Sequence, residues 1–179
     1  MEKYNMGFKF RIYPNNTQQQ LINRTLGCCR FVYNHFLAVR RDEWKANHNS
    51  LTYIKTSKLL TDLKKREDTS WLKEVDSVAL QQSLRDLDSA YQSFFKKRAG
   101  YPRFKSKHSN NQSYRTNNDN RVASIRIVDN RIRLPKVGFV KIKQSRTFEG
   151  RILNATVSHT ASGKYFVNIF VCILYTSDA

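Results

Sequence analysis

The 179-residue chain carries 32 basic and 14 acidic side chains, a formal net charge of +18 at pH 7, with 40% hydrophobic and 12% aromatic residues. That apolar content can build a core and excludes wholesale disorder; no run reaches the roughly 18–20 apolar residues of a membrane helix, and the opening MEKYNMGFKFR lacks the apolar stretch of an export signal. Three cysteines, Cys28, Cys29 and Cys172, exclude a disulfide framework and fit a reduced, cytoplasmic setting, which leaves a basic protein with a polyanionic partner, nucleic acid foremost.

In chain order, residues 8–13 come first and alternate, with Phe8, Phe10 and Ile12 on one side and Lys9, Arg11 and Tyr13 on the other. A period of two predicts a half-buried strand, ended by Pro14. Thr17 is placed to cap a following helix whose apolar positions, Leu21, Ile22, Leu26, Cys29, Val32, Tyr33, Phe36 and Leu37, recur at three- and four-residue spacing. Gly27 interrupts that helix at a cost of about 1 kcal/mol relative to alanine, which points to close helix packing or close approach of nucleic acid. A shorter helix is expected from Thr56 to Arg66, with Leu59, Leu60 and Leu63 inward.

The best-defined helix spans Asp76 to Ala99, where Leu80, Leu84, Leu87, Tyr91 and Phe94 form one apolar stripe. Asp76 or Ser77 caps its start, and Gly100 with Pro102 supplies the stop. Gln81, Gln82 and Arg85 are its polar residues free to meet a partner. Beyond residue 120 the pattern turns to strands: Ile125 and Ile127, a turn at Asp129-Asn130, Ile132 and Leu134, then 137–143, 152–158 and 165–171, the last two joined by Ala161-Ser162-Gly163. Four or five antiparallel strands suggest a small barrel or curled sheet. The first strand, alone at the N-terminus, needs these later strands as partners, which makes the helical block an insertion into a β-barrel.

The charge is uneven. Residues 14–95 carry twelve basic and nine acidic side chains, whereas residues 96–179 carry seventeen and four, a net +13. No acid occurs between Asp88 and Asp119, while Lys96, Lys97, Arg98, Arg103, Lys105, Lys107 and Arg115 fall in that window among Phe94, Phe95, Tyr101, Phe104 and Tyr114. Basic groups interleaved with aromatics suit phosphate binding combined with stacking. No catalytic constellation is visible. The carboxylates from Asp62 to Asp88 alternate with Lys64, Lys65, Arg66 and Arg85, a pattern of surface ion pairs. The four histidines are scattered, and adjacent Cys28-Cys29 has the wrong spacing for a zinc half-site. No phosphate-loop, dinucleotide or nucleophile-elbow motif is present. No catalytic residue, cofactor site or metal site is therefore assigned.

Seven segments taken in order, FKFRIYPNNTQQ (8–19), GCCRFVYNHFL (27–37), SWLKEVDSVALQQSLRDLDSAYQSFFKK (70–97), YPRFKSK (101–107), SYRT (113–116), RLPKVGFVKIK (133–143) and EGRILNATVSHTASGKYFV (149–167), resemble the TnpB family. These insertion-sequence proteins are RNA-guided DNA endonucleases related to type V CRISPR effectors. The resemblance implies an α+β fold: a wedge-type antiparallel β-barrel, residues 1–13 plus 101–172, with a helix-turn-helix-like recognition lobe, residues 14–100, inserted after the first strand. It implies guide RNA and double-stranded target DNA as partners, and no membrane. In the family a RuvC-like nuclease with divalent metal ions and a zinc ribbon follows. Here CILYTSDA (172–179) departs from the Gly-Ile-Asp-like context of the first catalytic aspartate, so Asp178 is not assigned that role. Residues 173–179 read as a non-native or truncated tail, and no cleavage is expected of this chain.

By the same resemblance, a short target-adjacent DNA motif is read by Tyr53, Ser57, Ser77 and Gln81 and by the loop at Asn118 and Asn120. Glutamine and asparagine can pair bidentately with adenine, and serine can reach either member of a base pair. Nucleic-acid backbone contacts fall to Lys96, Lys97, Arg98, Arg103, Lys105, Lys107, Arg115, Lys136, Lys141 and Lys143, and to Arg30, for which a structural ion pair is the alternative. Arg103, Lys105 and Lys107 would share one face of an extended segment, with Phe104 pointing away. The rival reading is a stand-alone helix-turn-helix regulator docking residues 17–97 in a major groove; a ribosomal-type RNA-binding protein is a third.

Overall fold

The computed structural model describes residues 2–119 and 121–175. Its elements are β1 (Glu2–Tyr13), α1 (Asn16–Asn47), α2 (Tyr53–Lys65), a 3-10 helix (Glu67–Glu74), α3 (Ser77–Phe95), β2 (Asn111–Asn117), β3 (Arg126–Val128), β4 (Arg131–Leu134), β5 (Gly138–Lys143), β6 (Arg151–Thr160) and β7 (Tyr165–Tyr175). The protein is thus α+β, and it divides into two compact units, Met1–Asn23 with Asn110–Ala179, and Arg24–Ser109.

The first unit holds a curled antiparallel half-barrel sheet of order β2-β6-β7-β1-β5-β4-β3. β1 lies between two strands from the far end of the chain: Phe10 pairs with Val167, and Ile12 with both Tyr165 and Ile142. Phe8, Phe10, Ile12, Ile132, Leu134, Val140, Ile142, Ala155, Val157, Val167, Ile169 and Val171 are buried on one side of the sheet. Every one obeys the alternation of its own strand. β1 begins six residues earlier than the alternation predicts. Lys3 to Gly7 are exposed, and pairing with the far end of β7, Gly7 with Phe170 through Glu2 with Tyr175, holds them extended.

β2 is not among the strands predicted from sequence. NQSYRTN has a single large apolar residue, yet Tyr114 and Thr116 are buried and pair with Val157 and Ala155. Polar strands at a sheet edge take their structure from the neighbour's ladder rather than from their own propensity. The β3–β4 turn does follow the sequence, since Asp129 and Asn130 both have positive φ, 48° and 56°, as a tight hairpin demands. Gly150, before β6, has φ +152°, and a Cβ there would stand 2.6 Å from the Cys172 carbonyl oxygen, so only glycine fits.

In the second unit helical residues pack on one another. Asp76 caps α3 by accepting from the Val78 N–H at 3.0 Å, and Leu80, Leu84, Leu87 and Tyr91 are buried as their stripe requires. On α2 the inward set is Thr56, Leu60 and Leu63; Leu59, expected inside, is 42% exposed. The helix starts three residues earlier than expected, at Tyr53.

Two expectations for α1 are corrected. Its cap is Asn15 rather than Thr17: the Gln18 N–H donates to Asn15 Oδ1 at 2.9 Å while the Asn15 N–H donates to Gln18 Oε1 at 3.0 Å, a reciprocal box. Gly27 does not interrupt the helix, and a Cβ there would meet only Arg30 Nη2 at 3.8 Å, an ordinary contact. Close packing is not why that glycine is there.

Candidate nucleic-acid interface

The side of the sheet opposite its core is basic. Cross-strand register builds one row from Phe166, Arg11 and Lys143, and a second from Tyr13, Lys141 and Arg131; Phe139, Arg133 and Arg126 form a third. Arg11 faces Lys143, Lys141 faces Arg131 and Arg133 faces Arg126, so three like-charged pairs stand directly opposite one another. Each such pair destabilises a sheet by some tenths of a kcal/mol, up to about 1. Neither residues 8–13 nor β3, β4 or β5 contains an Asp or Glu to offset them. Aromatic rings lie among the cations: Lys9 Nζ is 4.7 Å from the Phe166 ring centre, and the Arg11 guanidinium is 5.2 Å from Tyr13 and 5.6 Å from Phe166. Arg126 stands 5.4 Å over Phe139. Tyr13 and Phe139 are 46% and 40% exposed, which leaves ring surface for stacking. This face offers point charges for phosphates and flat apolar surfaces for bases or riboses.

Of the residues expected there, Lys141 and Lys143 lie on this face, exposed. Arg115 is exposed on β2 opposite Thr156, and Lys136 sits at the β4–β5 turn with φ +67°. Lys9, Arg11, Arg126, Arg131 and Arg133 were missed, although each alternates with an apolar neighbour, the same signal that selects Lys141 and Lys143.

In the helical unit, three expected motif readers come together. Tyr53 Oη donates to Gln81 Oε1 at 3.1 Å, and Ser57 Oγ donates to the same oxygen at 2.9 Å. The Arg85 guanidinium lies 4.2 Å over the Tyr53 ring and covers one of its faces. Ser77, one turn before Gln81, is exposed. Because Oε1 accepts twice, Gln81 presents its NH2 group, which only donates. Bidentate adenine pairing needs the amide oxygen as well. Asn118 is fully engaged: its NH2 donates to the Ile125 and Ile152 carbonyls, and its oxygen accepts from Ser124 Oγ and the Ile125 N–H. It shapes the loop and has no amide group left for a base. Asn120 lies outside the described residues.

Lys96, Lys97, Arg98, Arg103 and Lys107 are exposed along the segment after α3. Lys105 and Phe104 depart from the shared-face expectation. The Asn34 amide clamps the Lys105 backbone through bonds of 2.8 and 2.9 Å, its ammonium sits 4.2 Å over Tyr33, and Phe104 lies beneath Arg41 at 5.7 Å. Arg30 is half-buried on α1. Carboxylates are used as the charge pattern suggests: Glu74 pairs with Arg24, Asp68 with Arg66, Asp62 with Lys65, and Asp88 with the buried Arg40 at 3.0 Å. Burial pushes the Cys28 thiol up to about 11 and the Cys29 thiol up to about 12, so both are protonated and inert near neutrality. Among the described residues no group of three or more His, Cys, Asp or Glu could hold a metal ion. No described helix is long and apolar enough to cross a membrane.

A family model described as a helix-turn-helix domain, HTH_OrfB_IS605, matches residues 1–49, which hold β1 and the single helix α1. The chain is 38% identical over 162 residues to "Putative RNA-guided DNA endonuclease InsQ" of Escherichia coli strain K12, covering 90% of this chain and 39% of InsQ. It is 43% identical over 107 residues to "Putative RNA-guided DNA endonuclease" of Streptomyces pristinaespiralis, covering 60% of this chain and 27% of that protein. "Virulence protein VsdF" of Salmonella dublin is 37% identical over 109 residues, 56% of this chain and 92% of VsdF. The chain belongs to the TnpB family. The three relatives named above are bacterial, and this TnpB-family chain spans about two fifths and about one quarter of the length of the two endonucleases among them.

Proposed function

We propose that this chain is the nucleic-acid recognition portion of a TnpB-family RNA-guided DNA endonuclease of an insertion sequence. In this reading the half-barrel is the wedge domain, the helices form an inserted recognition lobe, and together they hold a guide RNA and a short DNA motif beside its target. The observation that carries the proposal is the set of three like-charged cross-strand pairs on an acid-free, aromatic-bearing sheet face. A protein that folds against that repulsion has a use for it, and a phosphate backbone relieves it. Base pairing between guide and target supplies most of the specificity in RNA-guided recognition, with the protein reading backbone shape and a flanking motif. Many cations and few base-reading side chains suit that division.

Motif reading is assigned to Gln81 and Ser77, with Tyr53 and Ser57 fixing the Gln81 amide. Two N–H donors on one group match the guanine O6 and N7 acceptors, or thymine O4. The chain's own residues bind and position nucleic acid here, and no bond-breaking step is assigned to them.

The test is binding of the chain to its guide RNA and to an unrelated RNA of equal length, across a salt series. The guide RNA should bind more tightly, and Lys141→Ala or Lys143→Ala should each lower the slope of log affinity against log salt by about 1. Equal affinity for both RNAs with an unchanged slope would overturn the assignment. Tight, sequence-specific duplex binding without RNA would favour a stand-alone DNA-binding regulator instead.

A further inference from the structure

The helical unit holds an aromatic pocket that neither the motif cluster nor the basic sheet face uses. Arg40, Trp44, Leu51, Tyr91, Phe95 and Tyr101 line it, around a volume of about 160 Å³. That is below the roughly 300 Å³ at which drug-sized ligand sites begin, and suits one flat heterocycle. Its walls are fixed by ring-on-ring contacts. Tyr101 meets Tyr91 edge-on at 5.7 Å and Phe94 edge-on at 5.3 Å, and the Tyr91 and Tyr101 hydroxyls hydrogen-bond at 3.0 Å. Arg40 lies 4.1 Å over the Tyr91 ring and is held there by Asp88.

Its rim is unusual for an apolar pocket. Phe95, Trp44 and Tyr101 are 66%, 55% and 45% exposed, three large rings left in water in one place. Phe95 runs directly into Lys96, Lys97 and Arg98, all exposed, where the chain turns sharply at Lys97 with φ +56°. Three carboxylates lie within three residues of its lining side chains in sequence, and each is already engaged: Asp88 accepts from Arg40 and Gln92, Asp42 from Arg41, and Glu43 from Asn47 and Asn49. After Asp88 no acid follows in the sequence until Asp119. A partner that fits must bring a flat aromatic surface and negative charge within a few ångströms of each other. A nucleotide does both. Within the tyrosine pair only one hydroxyl hydrogen is consumed, so the pocket also offers a donor to a base edge.

We propose that this pocket takes an unpaired nucleobase, stacked among Phe95, Trp44 and Tyr101, from a strand whose phosphates lie along Lys96, Lys97 and Arg98. The inference rests on the nucleic-acid reading above and adds a stacking site that reads the absence of pairing rather than sequence. A base inside a duplex is covered on both faces and cannot enter.

The test uses the full chain in a Trp71→Phe background, which leaves Trp44 as the sole tryptophan. Short adenine oligoribonucleotides and oligodeoxyribonucleotides are titrated in, alongside a blunt duplex, while Trp44 emission is followed. Single strands should quench it and the duplex should not; the preferred sugar identifies the strand that supplies the base. Phe95→Leu, which keeps apolar volume but removes the ring, should weaken single-strand binding by about 5- to 150-fold, whereas Phe95→Tyr should retain it. Phe95 is exposed, so folding is not at stake, and an unchanged denaturation midpoint checks this. Strand binding with unchanged Trp44 emission and no effect of Phe95→Leu would overturn the pocket while leaving the sheet-face reading intact. No binding of any strand would overturn both. A Trp44 shift that depends only on protein concentration would assign the rings to self-association and also overturn the inference.

Discussion

Gln81 illustrates how much a single hydrogen-bonding choice decides. A free glutamine offers a base both a donor and an acceptor, and two hydroxyls on its oxygen remove the acceptor. Gln81→Ala should therefore lower discrimination at one base pair by about 1–3 kcal/mol, measured by competition among all substitutions of the flanking motif. Ser57→Ala combined with Tyr53→Phe releases the amide, so adenine should become acceptable at that same position. A preference that survives both changes would move the reading elsewhere. Cys29 gives a second prediction with a defined sign. Burial raises its thiol from 9.0 to about 12, so above pH 9 the unfolded chain releases a proton that the folded chain keeps. Stability should fall as pH rises from about 9 toward 12, and Cys29→Ala should flatten that fall in urea midpoints measured across the range. An unchanged slope would show that other groups carry it.

At the scale of elements, the informative feature is which strand neighbours which. Lys143 and Arg11 are each unremarkable solvent-facing residues of alternating strands, and only the β1–β5 register sets them opposite each other. Lys143→Gln should consequently raise the stability of the free protein by a few tenths of a kcal/mol, up to about 1, while weakening RNA binding. Gain of stability with loss of affinity, read in parallel by urea melts and filter binding, separates a functional charge from a structural one. Most elements were legible beforehand. The stripe of α3 and the alternation of 8–13 are local patterns that burial selects directly. β2 was not legible, because NQSYRTN is extended through the ladder of β6 rather than through its own apolar content. Leu59 was misplaced because it stands one turn before Leu63 and so satisfies apolar spacing, whereas packing buries Thr56 with Leu60 and Leu63 instead.

For the whole molecule, a net charge of +18 sets opposite salt responses for folding and for binding. Salt screens self-repulsion, so the free chain should gain stability between low ionic strength and about 0.15 M. RNA affinity should fall over the same range as counterions are no longer released as favourably. Thermal melts and binding curves on one salt series check both, and a free protein destabilised by salt would mean that its charges are paired rather than repelling.

The sequence by itself determined that the chain is basic and α+β, that its cations gather in the second half, and that its segments match one family. These properties are compositional or periodic and need no partner residue. Tertiary structure alone decided that like charges face each other across β1, β5, β4 and β3, that the Gln81 oxygen is occupied while Asn118 is consumed by its own loop, and that Trp44, Tyr91, Phe95 and Tyr101 enclose one pocket. The physical reason is common to all of them. Coulomb repulsion, hydrogen-bond saturation and ring stacking act over a few ångströms, between residues that folding brings together from up to about 130 positions apart along the chain.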